Sequence, residues 1–388
     1  MRVYYMDALR SVLMALGVVY HTSTLYSVGQ VWRVPGAGGH GVFDGLAAFL
    51  HSFRMPAFFL ISGYFCLLTL RKYGDGRFLR LRWVRVGVPL LATAVLVNPW
   101  MNYLSWDTYL QRGFFDYVLD PAYLAEGTWI GHLWFLNNLL VYFTLAFVAA
   151  KLLRLGPLAR LRSPAARALA LWRRLPANVV LLALLLPLTN MVMLRVIWRF
   201  GITDDAYLGH FIMLSELCGY LPYFLVGMLL RYDETLLAAL GGWRFWCAGL
   251  AMAALVAALP VEAAWYGTYV NEYLGFLLAW SLSGLCLGLF RRLFNRPSPF
   301  FLYFSDASYT IYLFHQLLVV VFGLLLAGLP LNVFAKFALV VVLTFALTAA
   351  IHHFLVLRRV AMRFLFNGKT DAGANKAARP VESTPAAG

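Results

Sequence analysis

Apolar runs of about 20 residues recur along the whole chain, parted by short polar or basic stretches. A helix needs about 20 mostly apolar residues to cross a bilayer. Ten runs approach that length, near 6–28, 43–70, 85–104, 131–150, 177–194, 210–230, 243–260, 272–290, 307–327 and 332–356. The pattern predicts an all-α fold, a polytopic membrane bundle of about ten transmembrane helices filling residues 1–366. Residues 367–388, rich in Gly, Ala, Pro, Ser and Thr, have too little apolar surface to fold and are expected to form a disordered tail. No internal repeat of the kind that builds inverted transporter halves is visible.

Composition agrees with this reading. Of 388 residues, 62% are hydrophobic and 13% charged, too apolar for a soluble globular chain. The net charge of +15 does not point to nucleic acid, because the cations lie in loops between the runs. Arg71, Lys72, Arg77, Arg80, Arg82 and Arg85 fill one loop, Lys151 to Arg174 another, and Arg291, Arg292 and Arg296 a third. The intervening loops hold Arg33, Arg112, Arg195 and Arg199 with Asp107, Asp116, Asp120, Glu126, Asp204 and Asp205. That alternation predicts both termini on the cytoplasmic side. The stretch Arg154 to Arg174, cationic and without an acid, is expected to lie along the anionic leaflet of the bilayer. Cys66, Cys218, Cys247 and Cys286 lie in apolar runs with no metal-ligand spacing, and read as small buried apolar residues. The first run is too long and too polar for a cleavable signal peptide.

Ionisable groups inside such runs are costly, so each is a functional candidate. The first run, Tyr4 to Ser27, carries Asp7, Arg10 and His21. Asp7 and Arg10 are spaced to pair on one helix face. Arg10 and His21 share a face three turns apart, offset by about 16 Å along the axis. The second run places His51 and Arg54 on one face ahead of Pro56. Arg54 needs an anion at that depth, either Glu216 of the sixth run or a substrate carboxylate. The fourth run opens His132-Leu-Trp134-Phe-Leu-Asn137-Asn138. Trp134 suits an interfacial belt or, with Trp129, a platform for a sugar ring, and His132 and Asn137 supply hydrogen bonds. In the ninth run Tyr309, Tyr312 and His315 recur on one drifting face, and Asp306 lies at the level of Arg10 as a possible partner for it. Polar groups from five runs thus converge on one interior cavity. No phosphate-binding Gly-rich loop, zinc spacing or nucleophile elbow is present.

Several of these stretches resemble the membrane acyltransferase 3 family. They are Arg10 with His21 eleven residues on, Phe58-Phe-Leu-Ile-Ser-Gly-Tyr64, the basic stretch through Arg80 and Arg85, and Ser308-Tyr-Thr-Ile-Tyr-Leu-Phe-His315. The stretches His51-Ser-Phe-Arg-Met55 and His132-Leu-Trp-Phe-Leu136 are most similar to a branch associated with succinylating osmoregulated periplasmic glucans. The resemblance implies an enzyme of the bacterial inner membrane. Such an enzyme takes an acyl group from cytoplasmic acyl-CoA, succinyl-CoA or acetyl-CoA, and places it on a glycan hydroxyl across the membrane. It implies no permanently bound cofactor and no metal. Asp7, Arg10, Arg85, Asp306 and Tyr309 would then hold acyl-CoA, with Arg10 on a phosphate. His21 would be the general base, since an imidazole with a pKa of about 6.5 suits that task. Glu216 would orient it, and Tyr309, Asn137 or His315 would stabilise the oxyanion. Arg54 would clamp the free carboxylate of a succinyl group, while His51, His132, Trp134 and Asn137 meet the acyl group or the acceptor. Two other classes fit the polar interior: a proton-coupled transporter of small anions or glycans, and a structural subunit of a glycan-assembly complex. The enzyme labels an acceptor covalently, the transporter leaves CoA intact, and the subunit tolerates His21→Ala.

Overall fold

The computed structural model describes residues 3–29, 34, 37–105, 112–154, 172, 178–203, 206–209, 211–258 and 267–370. The basic stretch between Arg154 and Arg174 lies almost wholly outside the described residues, as do Arg33, Asp107, Asp204, Asp205 and the chain after Thr370. The fold is a helical bundle with one two-stranded hairpin, β1 (Tyr207–Leu208) antiparallel to β2 (Ile212–Met213). Helix α1 (Tyr4–Leu25) packs between α2 (Gly41–Tyr73) and a long helix near the end of the chain, Pro299–Ala327. The hydroxyls of α1 do not break its apolar character, because they hydrogen-bond within the helix. Ser11 Oγ donates to Asp7 O at 2.7 Å and Thr22 Oγ1 to Val18 O at 2.8 Å.

The chain then runs through α3 (Asp75–Arg82), a π-helical turn at Trp83–Gly87, α4 (Val88–Leu96) and α5 (Asn98–Ser105). The α4–α5 pair bends by 43° at Val97. Pro99 explains the break, since it has no N–H to donate to the carbonyl of Val95, four residues back, and its ring crowds that carbonyl. Short helices α6 (Phe114–Val118) and α7 (Pro121–Glu126) and a 3-10 turn at Thr128–Leu133 lead into α8 (Trp134–Leu152). Helices α9 (Asn178–Arg199), α10 (Leu214–Tyr232), α11 (Glu234–Leu240), α12 (Trp243–Ala257) and α13 (Gly267–Leu293) follow. The Pro299–Ala327 helix is α14, then come α15 (Val333–Ala350), a π-helical turn at Ile351–Val356 and α16 (Val360–Asn367).

Helix α10 lies against α2 more closely than side chains normally allow. A Cβ on Gly63 would fall on the Phe224 carbonyl, and a Cβ on Gly227 on the Leu60 carbonyl. Two glycines therefore let two backbones touch, the small-residue packing expected where lipid supplies no hydrophobic drive between helices. Outward faces are apolar instead: Val95, Val192, Leu255, Leu325 and Val342 are all more than 60% exposed. That is a lipid-facing surface.

Among the described residues, six helices are long and apolar enough to cross a membrane, eight if each of two bent pairs is one span (α3–α4 with α5, and α11 with α12, the latter bent by 50°). By length and composition these account for eight of the ten expected spans. The two remaining expected spans coincide with α1 and α10. Both are long helices within the bundle, but each carries ionisable residues, Asp7 and Arg10 on one, Glu216 and Arg231 on the other.

Candidate active site

A cavity of about 240 Å³ opens among α1, α2, the Trp83–Gly87 turn, α8, α14 and the segment after α16. Its polar lining holds four cations, Arg10, Arg82, Arg85 and Lys369, with one acid, Asp306, and the neutral Ser62, Ser305, Ser308, Tyr309 and Asn367. Arg10 Nη2 donates to Ser305 Oγ at 2.9 Å and stands 3.4 Å from Asp7 Oδ1, so the expected Asp7–Arg10 pair is present. Arg82 is anchored to α2, donating from Nη2 to Phe65 O at 2.9 Å and to Thr69 Oγ1 at 2.5 Å. Tyr309 Oη donates to Arg85 O at 3.3 Å, tying α14 to the π-helical turn. Asp306, expected beside Arg10, pairs with Lys369.

One helical turn further along, the same elements carry a second set of residues. Met14, Phe58, Phe135 and Tyr309 line the cavity. Gly17, Arg54, His132 and Tyr312 lie three or four residues from them, about one 5.4 Å turn. The second set surrounds His21 and His315, whose ring centroids are 5.1 Å apart, with His132 5.3 Å from His315. Cavity and histidine cluster thus lie at successive levels of the bundle.

Hydrogen bonds fix two of the imidazoles. His132 Nε2 lies 3.2 Å and His315 Nδ1 2.7 Å from the Tyr312 carbonyl oxygen. A carbonyl only accepts, so both nitrogens carry their hydrogen. The lone pairs of the neutral rings are then on His132 Nδ1 and His315 Nε2. Both atoms are buried with no hydrogen-bond partner among the described residues. Tyr312 Oη donates back to His132 O at 2.7 Å, closing the link between α14 and the 3-10 turn. That turn reaches inward through Gly131, whose φ of 47° no side-chain-bearing residue readily adopts.

Arg54 is 8% exposed. Its guanidinium lies over the Tyr20 ring, 4.7 Å from the centroid, and its Nε has no hydrogen-bond partner among the described residues. No carboxylate pairs with it among those residues, so Glu216 does not take the role of its counter-ion. Gly17 makes the space. A Cβ there would stand 2.9 Å from Arg54 Nη1 and 3.5 Å from His315 Nε2, so both polar atoms border one point. His51, on the more exposed side of α2, stacks on Tyr20 with centroids 5.7 Å apart.

The remaining predicted residues are placed as follows. Trp134 is half-buried and stacks on Tyr220, ring centroids 5.6 Å apart. Asn137 Nδ2 donates to Phe211 O at 3.0 Å and holds the β1–β2 hairpin, which leaves the carboxamide partly engaged. Glu216 lies in the first turn of α10, one turn before Tyr220. His21 meets the rings of Tyr20 at 4.8 Å and of His315 at 5.1 Å. Sequence reasoning missed Gly17, Tyr20, Arg82, Asn367 and Lys369. Gly17 and Arg82 had a signal: one is four residues before His21 and the other three before Arg85, neighbours on a helix face. Asn367 and Lys369 had none, having been read as part of a tail.

Comparison with known proteins adds a family. A model described as an acyltransferase domain, of the acyltransferase 3 type, matches residues 3–353. Among similar curated proteins are those named glucans biosynthesis protein C from Salmonella schwarzengrund, Salmonella paratyphi A and Salmonella agona. Each is 29% identical over 383 residues, covering 95% of this chain and 95% of the relative. No solved structure matches.

Proposed function

The chain belongs to the acyltransferase 3 family, and from that premise we propose that it transfers a succinyl group from cytoplasmic acyl-CoA to hydroxyls of a periplasmic glucan. The observation that carries the reading is the pair of polar levels along one wall of the bundle. The first holds Arg10, Arg82 and Arg85 and suits the phosphates of CoA. The second holds three imidazoles beside an arginine that has no carboxylate partner among the described residues. Arg10 and His21 are about 16 Å apart along α1, a distance that a pantetheine arm spans. The phosphate end and the thioester end of one donor therefore fit two levels of one wall. The similarity to glucans biosynthesis protein C supports the choice of acyl group and acceptor.

In this reading the sugar hydroxyl attacks the thioester carbonyl while His21 takes its proton. A C–O bond forms, the carbonyl electrons move to oxygen, and the tetrahedral intermediate collapses with loss of the CoA thiolate, which takes up the proton. His315 lies against His21 and shares the charge that develops there. Arg54 holds the distal carboxylate of the succinyl group, since a buried guanidinium over an aromatic ring gains a full partner only when an anion arrives.

The test uses proteoliposomes. Labelled succinyl-CoA is supplied on the face bearing Arg10 and an oligosaccharide glucan on the other. Label on the sugar, lost in His21→Ala with donor binding retained, is the expected result. Active His21→Ala protein, or solute moved with CoA intact, overturns it.

A further inference from the structure

Part of the cavity wall comes from beyond the stretch that defines the family. The family match ends at residue 353, yet Asn367 and Lys369 line the cavity. Local sequence brings the chain back to it. In α16, Phe366 packs on Phe314, ring centroids 4.8 Å apart, which seats the helix beside His315's own helix. The helix ends in a left-handed glycine cap: Gly368 N–H donates to Phe364 O at 2.9 Å, and Lys369 N–H reaches Arg363 O at 3.5 Å. Gly368 has a φ of 59°, and a Cβ there would stand 2.5 Å from Arg85 Cα, so glycine is required on both counts. The cap turns Lys369 inward, where its ammonium pairs with Asp306.

Asn367 is the residue without an explanation inside the resting protein. It is 4% exposed, and neither its Oδ1 nor its Nδ2 has a hydrogen-bond partner among the described residues. A buried carboxamide open at both ends is a net cost to folding. It borders a cavity that four cations, Arg10, Arg82, Arg85 and Lys369, share with one acid, Asp306, so an incoming anion would be held beside it. A donor next to an acceptor complements an acceptor next to a donor. The amides of the pantetheine arm and the amino edge of adenine both present that pattern, and CoA carries both.

We propose that residues 360–369 complete the donor cavity, and that the Asn367 carboxamide hydrogen-bonds an amide-like edge of the bound CoA. Lys369, held by Asp306, stands beside the phosphates. The inference rests on the donor reading above.

The experiment is CoA binding to the full-length protein in nanodiscs, by titration calorimetry, for wild type, Asn367→Leu and His21→Ala. Asn367→Leu should weaken CoA binding at least tenfold and raise the KM for acyl-CoA, with kcat at saturating donor unchanged. It should also raise the Tm of the unliganded protein, because an unpartnered buried polar group is removed. A structural role predicts a lower Tm and so gives the opposite sign. Repeating the titration with 4′-phosphopantetheine separates the two edges: a loss with both probes assigns the pantetheine amide, a loss with CoA alone the adenine. Equal CoA affinity for wild type and Asn367→Leu overturns the inference and leaves the acyltransferase reading standing. No CoA binding by wild type or by His21→Ala removes the donor reading itself, and this inference with it.

Discussion

Replacing Arg54 should separate donors that end in a carboxylate from donors that do not. Arg54 is buried, lies over Tyr20 and has no carboxylate partner among the described residues. A charge-assisted hydrogen bond contributes about 1.5–3 kcal/mol net, and truncating one partner of a buried charge pair costs about 2–5 kcal/mol. Taking roughly 3–4 kcal/mol for a two-pronged guanidinium–carboxylate contact, and tenfold in rate per about 1.4 kcal/mol, Arg54→Gln should lower kcat/KM for succinyl-CoA by roughly 10²- to 10³-fold. Acetyl-CoA presents no carboxylate and should lose less than about threefold by the same reasoning. Arg54→Lys keeps the charge but not the fork, and should fall between. The assay is glucan labelling in proteoliposomes with each donor in turn. Loss of equal size with both donors would refute the clamp. Stability gives a second reading. The guanidinium gains only a cation–π contact, about 0.5–2 kcal/mol, against its desolvation. Arg54→Met should therefore raise Tm of the unliganded protein, and a fall would assign Arg54 to the architecture instead.

Other positions give sharp outcomes too. Gly17→Ala places a methyl group 2.9 Å from Arg54 Nη1 and 3.5 Å from His315 Nε2; kcat/KM should fall at least about tenfold while Tm stays nearly constant, since the arginine tip is free to move. Arg85→Gln and Arg82→Gln should both raise the KM for acyl-CoA, the more so at low salt. Only Arg82→Gln should also lower Tm, because it alone loses bonds to Phe65 O and Thr69 Oγ1. Gly63→Ala should destabilise the bundle by more than about 3 kcal/mol, read as Tm in detergent, because its Cβ meets the Phe224 backbone, which cannot turn aside.

Much of this was legible in the residues. The helices follow from apolar runs whose length alone sets them, and shared faces follow from spacing, so Tyr309, Tyr312 and His315 fall along one side of α14 as expected. Arg10 meets Asp7 for the same reason. Contacts across the bundle were not legible. His132 and Tyr312 are 180 residues apart, and nothing local reports that they exchange hydrogen bonds. The bond of Asp306 to Lys369 and the return of α16 to the cavity depend on which helices are neighbours, which a single sequence does not encode locally. The stack of Trp134 on Tyr220 likewise depends on α10 lying alongside. The bend at Val97 divides a run that reads as continuous, and the bent pair α11–α12 begins ahead of the run expected near 243–260.

The carbonyl of Tyr312 bears on a problem that any membrane protein lined with imidazoles must meet. Three such rings in line resemble a proton wire, and a wire through this bundle would leak the ion gradient across the bilayer. Relay along imidazoles requires each ring to accept at one nitrogen and release from the other. The releasing nitrogens of His132 and His315 both point at the same carbonyl oxygen, which has no proton of its own to hand on. Proteoliposomes carrying the protein should therefore hold an imposed pH gradient as long as empty vesicles do, and faster decay would show that the wire continues past this residue. A proton that enters this cluster leaves by the side it came from, so these rings do not carry charge through the bundle.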